Sequence, residues 1–320
     1  MAAVVTKESP GLRSERGQAF VLTVVALVVL LGMAAVGIDV GSWYKAQRHD
    51  QAVADAAALA GSQALPDDPA QAVSLAIDYA NRNGVSINSS AITITSKAVA
   101  NDTIKVAFDQ PESTVFAKVF GISTVQVGAK AVARAGLPGA ARYVAPIVVP
   151  ISNPQLSGPT CTPPPCSGTT TIDLMDLHNP GSGNAAGSFA LLDLIPNDNG
   201  SVGSGILADW MAHGNTADMP LGIYDAVPST KYNSSSFQDA LVARTGDEVL
   251  FPVYQPPILL GGSNAQFDII GWVAFHIDSQ TTHGSSGSLT GHFTHFLAQG
   301  LEASDWNGHD FGVRVVQLVE

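Results

Sequence analysis

Three features of the sequence predict an α+β protein with a long N-terminal transmembrane helix, a small α+β unit and a mainly β C-terminal domain. The first is a charge-free apolar run at residues 20–38. The second is an alanine-rich continuation that contains no helix breaker before Pro66. The third is a set of short β-branched and aromatic runs beyond residue 140, separated by Gly, Ser, Asn and Pro. The predicted boundaries are 1–66 for the stub, span and helical stalk, 67–138 for the small unit and 139–320 for the β domain.

The apolar run is long enough to cross a membrane, since its residues would span about 28 Å as a helix. A cleavable signal peptide is the alternative, because the basic residues Lys7, Arg13 and Arg16 precede the run. We favour an uncleaved single-pass anchor, because the sequence stays compatible with a helix well beyond residue 38. The basic residues before the span favour a cytoplasmic N-terminus and an extracytoplasmic C-terminal part.

Small residues mark the rod predicted for residues 18–64, which would be about 70 Å long. Gly37 and Gly41 form a small-xxx-small pair at the outer membrane boundary. Further along, four small residues recur on one side at spacings of three and four: Ala54, Ala57, Ala58 and Gly61. They predict either helix–helix assembly between subunits or packing on the protein's own globular part. Asp39, at the membrane edge, is either a contact within an assembly or a helix-end residue among headgroups.

The small unit is predicted to begin with a helix from about Pro69 to Arg82, capped by Asp67-Asp68 and ended by Gly84. Its apolar face is predicted from four residues: Ala72, Leu75, Ala76 and Tyr79. A hairpin follows, with strands at 91–98 and 103–109 and a turn at Asn101-Asp102. A short helix at about 112–120 and a strand at about 124–134 complete the unit.

The C-terminal domain is predicted from six apolar runs, at residues 145–151, 188–195, 248–254, 269–277, 290–297 and 312–319. This part is acidic: residues 140–320 contain 4 Lys and Arg against 16 Asp and Glu, whereas residues 1–139 contain 11 of each class. Such a surface repels nucleic acid, so a role in binding DNA or RNA is disfavoured.

Cys161 and Cys166 are separated by Thr-Pro-Pro-Pro, a stiff turn that could bring the two sulfurs into bonding range. A disulfide is the favoured interpretation, since no histidine lies nearby to complete a zinc site, and two free thiols are the alternative. A disulfide would suit a compartment outside the cytoplasm.

We predict no catalytic, metal or cofactor residue. Four histidines invite a metal hypothesis (His276, His283, His292 and His295), but residues 292 and 295 would face opposite sides of a strand. Residues 197–200 read Asn-Asp-Asn-Gly, yet the EF-hand alignment would place Ile195 and Ile206 at ligand positions. No nucleophile elbow, Walker loop or zinc-protease motif occurs, so a non-enzymatic protein is predicted.

The N-terminal residues resemble those of a known family. The resemblance covers Arg16-Gly17-Gln18, Gly37-Ile38-Asp39-Val40-Gly41, Trp43-Tyr44 and the segment 51–61, QAVADAAALAG. In this order they resemble the N-terminal region of the TadG-like proteins of Tad (Flp) pilus systems. The resemblance implies a bitopic, pilin-like membrane protein of the pilus apparatus, with the membrane and other pilin-like subunits as partners of its helix.

This sequence departs from two motifs of pilins and TadG-like proteins, and the departures limit the role that the resemblance implies. Pilin precursors are cut after a glycine and carry Glu five residues later, whereas Leu22 stands five residues after Gly17. Some TadG-like proteins carry a metal-dependent adhesion motif, Asp-x-Ser-x-Ser. Residues 278–281 read Asp-Ser-Gln-Thr and do not match this motif. An accessory or minor pilin-like subunit, or a membrane-resident assembly component, is therefore expected. The alternative is a membrane-tethered cell-surface hydrolase or carbohydrate-binding protein, which would need a cleft with convergent polar groups.

Overall fold

A computed structural model describes most of the chain: residues 15–157, 164–166, 168–173, 188–196, 201–228, 231–255, 265–283, 286–298, 301, 303–304 and 308–319. Its helices are α1 Glu15–Ser62, α2 Pro69–Arg82, α3 Pro154–Ser157, α4 Ser204–His213 and α5 Ser235–Ala243. Its strands are β1 Ile92–Thr95, β2 Thr103–Ser113, β3 Thr124–Pro138, β4 Ala140–Ala141, β5 Val149–Pro150, β6 Thr169–Asp173, β7 Ser188–Leu192, β8 Met219–Pro220, β9 Gly222–Pro228, β10 Glu248–Gln255, β11 Gln266–His283, β12 Ser286–Thr294, β13 Phe296–Ala298, β14 Ala303–Ser304 and β15 Val313–Leu318.

α1 is one unbroken helix of 48 residues, about 72 Å long at about 1.5 Å per residue. In the part of the chain that the structure describes, it is the one helix long and apolar enough to cross a membrane. The most apolar stretch of α1 is free of intramolecular packing, with 0% of it buried. The predicted long N-terminal helix is therefore confirmed.

α2 begins and ends where the sequence signals predict. The Asp68 carboxylate accepts the Gln71 N–H at 2.8 Å, and Gly84 has the left-handed φ of +87° that ends the chain's helical turn. The buried side consists of small residues: Ala72, Ala76 and Ala80. Tyr79, predicted on the apolar face, is 38% exposed. Because the buried side chains of α2 are small, α2 approaches α1 closely.

The first sheet has the order β1-β2-β3-β15-β13, with β14 also pairing with β3. β1 and β2 form the predicted antiparallel hairpin. β2 is longer than predicted, because residues 111–113 continue the ladder opposite residues 124–126. The helix predicted at 112–120 is consequently reduced to a single 3₁₀ turn, Ala117–Phe120. Strand pairing has overridden the local helical preference.

The last long strand of this sheet comes from the C-terminus. β15 lies antiparallel to β3, with Val315 opposite Gly136. On β15, the buried Arg314 guanidinium donates to Asp67 at 2.6 Å and to Asp310 at 2.8 Å. Asp67 follows α1, so this charged cluster ties the chain's end to the corner between α1 and α2.

The second unit is built on a seven-stranded sheet, β5-β10-β11-β12-β6, in which β9 also pairs with β11 and β7 pairs with β9. The helices α4 and α5 pack against each other. Each of the six predicted apolar runs overlaps a strand. In the core, the Phe275 ring packs against Phe251 in a tilted arrangement and against Phe293 edge to face. The overall α+β architecture with a mainly β C-terminal region is as predicted.

Candidate assembly face of the N-terminal helix

Beyond the apolar run, the two sides of α1 have different surroundings. One side packs on the unit formed by α2 and the first sheet, which we call the first unit. On that side Asp39, Asp50 and Gly61 are buried. At about 100° per residue, Gly37 and Gly41 point about 160° away from Asp39. We call that opposite side the outer face and define it by four exposed residues: Gly37, Gly41, Tyr44 and Arg48.

The glycines of the outer face leave open space beside the helix. A Cβ built on Gly37 or on Gly41 would meet nothing within 4 Å. On the same face, the Arg48 guanidinium lies over the Tyr44 ring, 5.5 Å from its centroid, and Nη1 donates to the Tyr44 hydroxyl at 3.1 Å. The outer face therefore has a groove of small residues next to an accessible aromatic side chain, Tyr44, which is 57% exposed.

The second set of predicted small residues lies inside the protein. Ala54, Ala57 and Ala58 are fully buried in the core that α1 shares with α2 and the first sheet. A Cβ on Gly61 would lie 2.6 Å from Ile104 Cδ1 and 2.9 Å from the Ala72 carbonyl oxygen. Of the two interpretations of this set, intramolecular packing is the arrangement in the structure. Contacts between subunits remain a proposal for Gly37 and Gly41.

Asp39 is bound by the protein's own backbone, a role that the sequence did not suggest. Its Oδ1 accepts the Val115 N–H at 2.7 Å, and its Oδ2 accepts the Ala117 N–H at 2.7 Å and the Phe116 N–H at 3.0 Å. These three amides belong to the turn between β2 and β3. Asp39 is only 2% exposed, so it fixes that turn against α1 at the C-terminal end of the apolar run.

Two polar residues further along α1 also lie against the first unit. The Gln51 side chain donates to the Lys130 carbonyl at 2.8 Å and to Asp55 Oδ1 at 2.8 Å. Asp50 is 3% exposed, and its Oδ2 has no hydrogen-bond partner among the described residues. Burial and the nearby Glu112 raise the pKa of Asp50, against the opposing charge of His49. This side of α1 is therefore an internal face of the molecule.

The cysteines are described in part. Cys166 is disulfide-bonded, whereas Cys161 lies outside the described residues. The predicted pairing of the two remains a prediction.

Of the four histidines considered from the sequence, two lie side by side and a third lies apart from them. His276 and His292 are direct cross-strand partners on β11 and β12, with ring centroids 5.0 Å apart. Asp278 Oδ1 lies 3.8 Å from His276 Nε2 and 3.5 Å from His292 Nδ1. His295 instead lies 3.3 Å from Asp67. No group of three or more acidic, His or Cys side chains among the described residues is arranged to hold a metal. The segment 197–200 and the His283 side chain lie outside the described residues.

A cleft of about 450 Å³ lies in the C-terminal region, between the ends of β10 and β13. Its cationic groups are already bonded: Arg142 to Asp218, and Arg244 to the carbonyls of Ala212 and Glu248. Glu248 is the single carboxylate among its described lining residues. The described residues that line this cleft therefore do not include the pair of carboxylic acids that many glycoside hydrolases use.

The comparisons with known proteins bear on the helical part of the chain. Residues 17–72 match the family model described as "Putative Flp pilus-assembly TadE/G-like". No curated protein and no solved structure matches the chain. The match confirms the resemblance carried by residues 16–61 and supports a pilus-associated role with membrane association through α1. The N-terminal region of this chain is therefore similar to that of TadE/G-like Flp pilus-assembly proteins.

Proposed function

We propose that this chain is a membrane-anchored, non-enzymatic component of a Tad/Flp pilus assembly or adhesion apparatus, a TadG-like minor or accessory pilin-like subunit. Its C-terminal part lies on the extracytoplasmic side, and the outer face of α1 contacts other pilin-like subunits. The observation that carries the proposal is that residues matching a pilus-assembly family form a helix whose N-terminal half has no intramolecular partner.

The outer face has the properties of a helix–helix contact. Lipid tails are as apolar as leucine, so helices in membranes associate through close van der Waals packing rather than through hydrophobic burial. Gly37 and Gly41 permit that close approach, because a Cβ at either position would meet nothing within 4 Å. The protein's own globular unit occupies the other side of α1, so a neighbouring helix can reach the glycines without displacing it.

The extracytoplasmic orientation is supported by two independent features. Cys166 is disulfide-bonded, which is typical of oxidising compartments outside the cytoplasm. The basic residues that precede the apolar run favour a cytoplasmic N-terminus.

The test is co-purification of the detergent-solubilised protein with other Tad components. We expect the double variant Gly37→Leu/Gly41→Leu to recover about tenfold less of these partners, because the leucines fill the groove that close packing requires. Gly32→Leu is the matched control: it makes the same change on the same helix, also in open space, but on the other side of α1.

Equal recovery by the double variant and the Gly32→Leu control would contradict the assembly role of the outer face. Failure of the wild-type protein to recover any Tad component would contradict the proposed function as a whole.

A further inference from the structure

The turn between β2 and β3, which we call the hairpin tip and define as residues 114–123, exposes an unusual number of apolar side chains. Val119 is 84% exposed and Phe120 is 83% exposed, more than any other large apolar side chain of the described chain. Val115, Phe116 and Ile122 add exposures of 59%, 40% and 50%. A soluble protein rarely leaves such a cluster in water, so the cluster indicates an interaction surface.

The position of the hairpin tip identifies the surface that it meets. The hairpin runs along α1, from the Gln51 contact with Lys130 to the Asp39 contact with residues 115–117. These two contacts are separated by twelve residues of α1, or about 18 Å. Because Asp39 directly follows the apolar run, the hairpin points back toward the membrane and its tip reaches the outer end of the predicted span.

Backbone N–H groups of the hairpin tip are hydrogen-bonded within the protein, which suits an environment with little water. Its backbone N–H groups at residues 115–117 are bonded to Asp39, and the Thr114 N–H donates to the Ser123 carbonyl. Gly121, with φ of +81°, allows the tight turn that holds Val119 and Phe120 outward. Satisfied backbone groups lower the cost of entering an apolar region.

We propose that the hairpin tip inserts into the outer leaflet of the same bilayer that α1 crosses, at the boundary between headgroups and acyl chains. The proposal rests on the proposed membrane anchoring of α1. Val119 and Phe120 enter the acyl region, and Lys118, which lies between the apolar residues, reaches back to headgroup phosphates. With α1 and the hairpin tip both in the membrane, the first unit is held at a fixed height and rotation, and the outer face is presented sideways to neighbouring helices.

The test uses the full chain reconstituted in vesicles of phosphatidylethanolamine and phosphatidylglycerol. An environment-sensitive fluorophore is attached to Phe120→Cys under non-reducing conditions, which leave the native disulfide intact. Lipids that carry a nitroxide near the headgroup end of the acyl chain are then added. We expect about twofold quenching at position 120, as for a group about 5–10 Å deep in the interface. Val119→Cys provides a second, independent position on the hairpin tip.

Two control positions separate failure of the inference from failure of the anchor. Leu30→Cys reports the span itself and is read with lipids that carry the nitroxide near the methyl end of the acyl chain, because Leu30 lies near the middle of the apolar run. Ile223→Cys reports an exposed apolar residue of the second unit, with 52% exposure. Quenching at 120 but not at 223 supports insertion. Quenching at 30 with none at 120 or 119 overturns insertion and leaves the anchor intact, and it would favour a protein partner for the hairpin tip. Absence of quenching at 30 overturns the anchor and the insertion together.

Discussion

Two aspartates, Asp39 and Asp102, organise loops in the same way. Each carboxylate accepts three consecutive backbone N–H groups, from residues 115–117 in one case and 97–99 in the other. Asp102 is fully buried, and it also accepts the Thr103 hydroxyl at 2.8 Å. Carboxylates suit this task because they have several lone pairs and no donor of their own. Each residue thereby closes a turn whose own amides would otherwise lack partners.

The first prediction concerns Asp102. Burial acts to raise its pKa, but the backbone bonds from Val99, Ala98 and Lys97 and the Thr103 hydroxyl lower it below the usual value. Asp102 therefore stabilises the fold above the unfolded-state pKa of about 4, and this contribution is lost as the pH falls through the lower folded-state pKa. We expect Asp102→Asn to lower the free energy of unfolding by about 2 kcal/mol at neutral pH. Denaturant unfolding of wild type and variant at several pH values measures the difference, which should shrink below about pH 4.

Asp78→Asn is the control for that experiment. Asp78 pairs with Arg82 on the surface of α2, with both side chains largely exposed, and such pairs contribute less than about 1 kcal/mol. A loss for Asp102→Asn that does not exceed this control, or that stays constant into acid, would contradict the role assigned to the buried carboxylate.

For individual side chains, the sequence predicts contacts between near neighbours and not those between distant segments. Asp68 is predicted as a cap because its partner, Gln71, lies three residues further along. Asn101-Asp102 is predicted as a turn, although the burial of Asp102 is not. The Asp39 contact joins residues 76 to 78 positions apart. The apolar residues of the hairpin tip are the available signal, but the sequence predicts a short helix at 112–120 in their place.

At the scale of elements, the second prediction concerns the crossing of α1 and α2. Gly61→Ala would place a Cβ 2.9 Å from the backbone oxygen of Ala72, which cannot move away without shifting α2. We expect this variant to lose about 1–3 kcal/mol of unfolding free energy through overpacking. The loss should occur although alanine is intrinsically the better helix former by about 1 kcal/mol. Chemical denaturation of the detergent-solubilised protein is the measurement.

Gly205→Ala supplies the comparison, because Gly205 lies in α4 and a Cβ there would meet nothing within 4 Å. This control should be neutral or slightly stabilising. If Gly61→Ala were as stable as Gly205→Ala, the close approach of α1 and α2 at Gly61 would be refuted.

Elements with a strong periodic pattern are predictable in this protein, and those specified by their surroundings are not. α2 has a cap, an apolar period and a terminating glycine, and its predicted bounds agree with the structure. α4 begins after Gly203 without a capping side chain, and α5 is a short helix, Ser235–Ala243, so neither stood out in a region rich in Gly and Ser. The six apolar runs identify strands, but not their order, because pairing partners are chosen by packing across long stretches of chain.

At the scale of the whole molecule, the N-terminal and C-terminal segments of the globular part complete one another. The first sheet is completed by β15, which follows the second unit along the chain and pairs with β3. Arg314 reinforces this closure, because its buried guanidinium bonds Asp67 from one segment and Asp310 from the other. The second unit is thus inserted between two strands of the first sheet. The boundary predicted at Pro138 coincides with the last residue of β3, and β15 lies beyond it along the chain.

The third prediction tests this closure. A fragment of residues 42–138 exposes the edge of β3, whereas the same fragment joined by a short Gly/Ser linker to residues 308–319 regains β15 and the Arg314 cluster. A short linker suffices because β15 is antiparallel to β3, so Pro138 lies near the start of β15. We expect the joined fragment to unfold cooperatively with a Tm about 10 °C or more above that of residues 42–138 alone. For a domain of this size, such a shift corresponds to a stabilisation of about 2 kcal/mol by β15 and the Arg314 cluster. A fragment joined to the same twelve-residue segment with its order shuffled controls for added length. Equal Tm values for the native and shuffled segments would show that the first unit folds without β15, and the boundary at Pro138 would then define an independent domain.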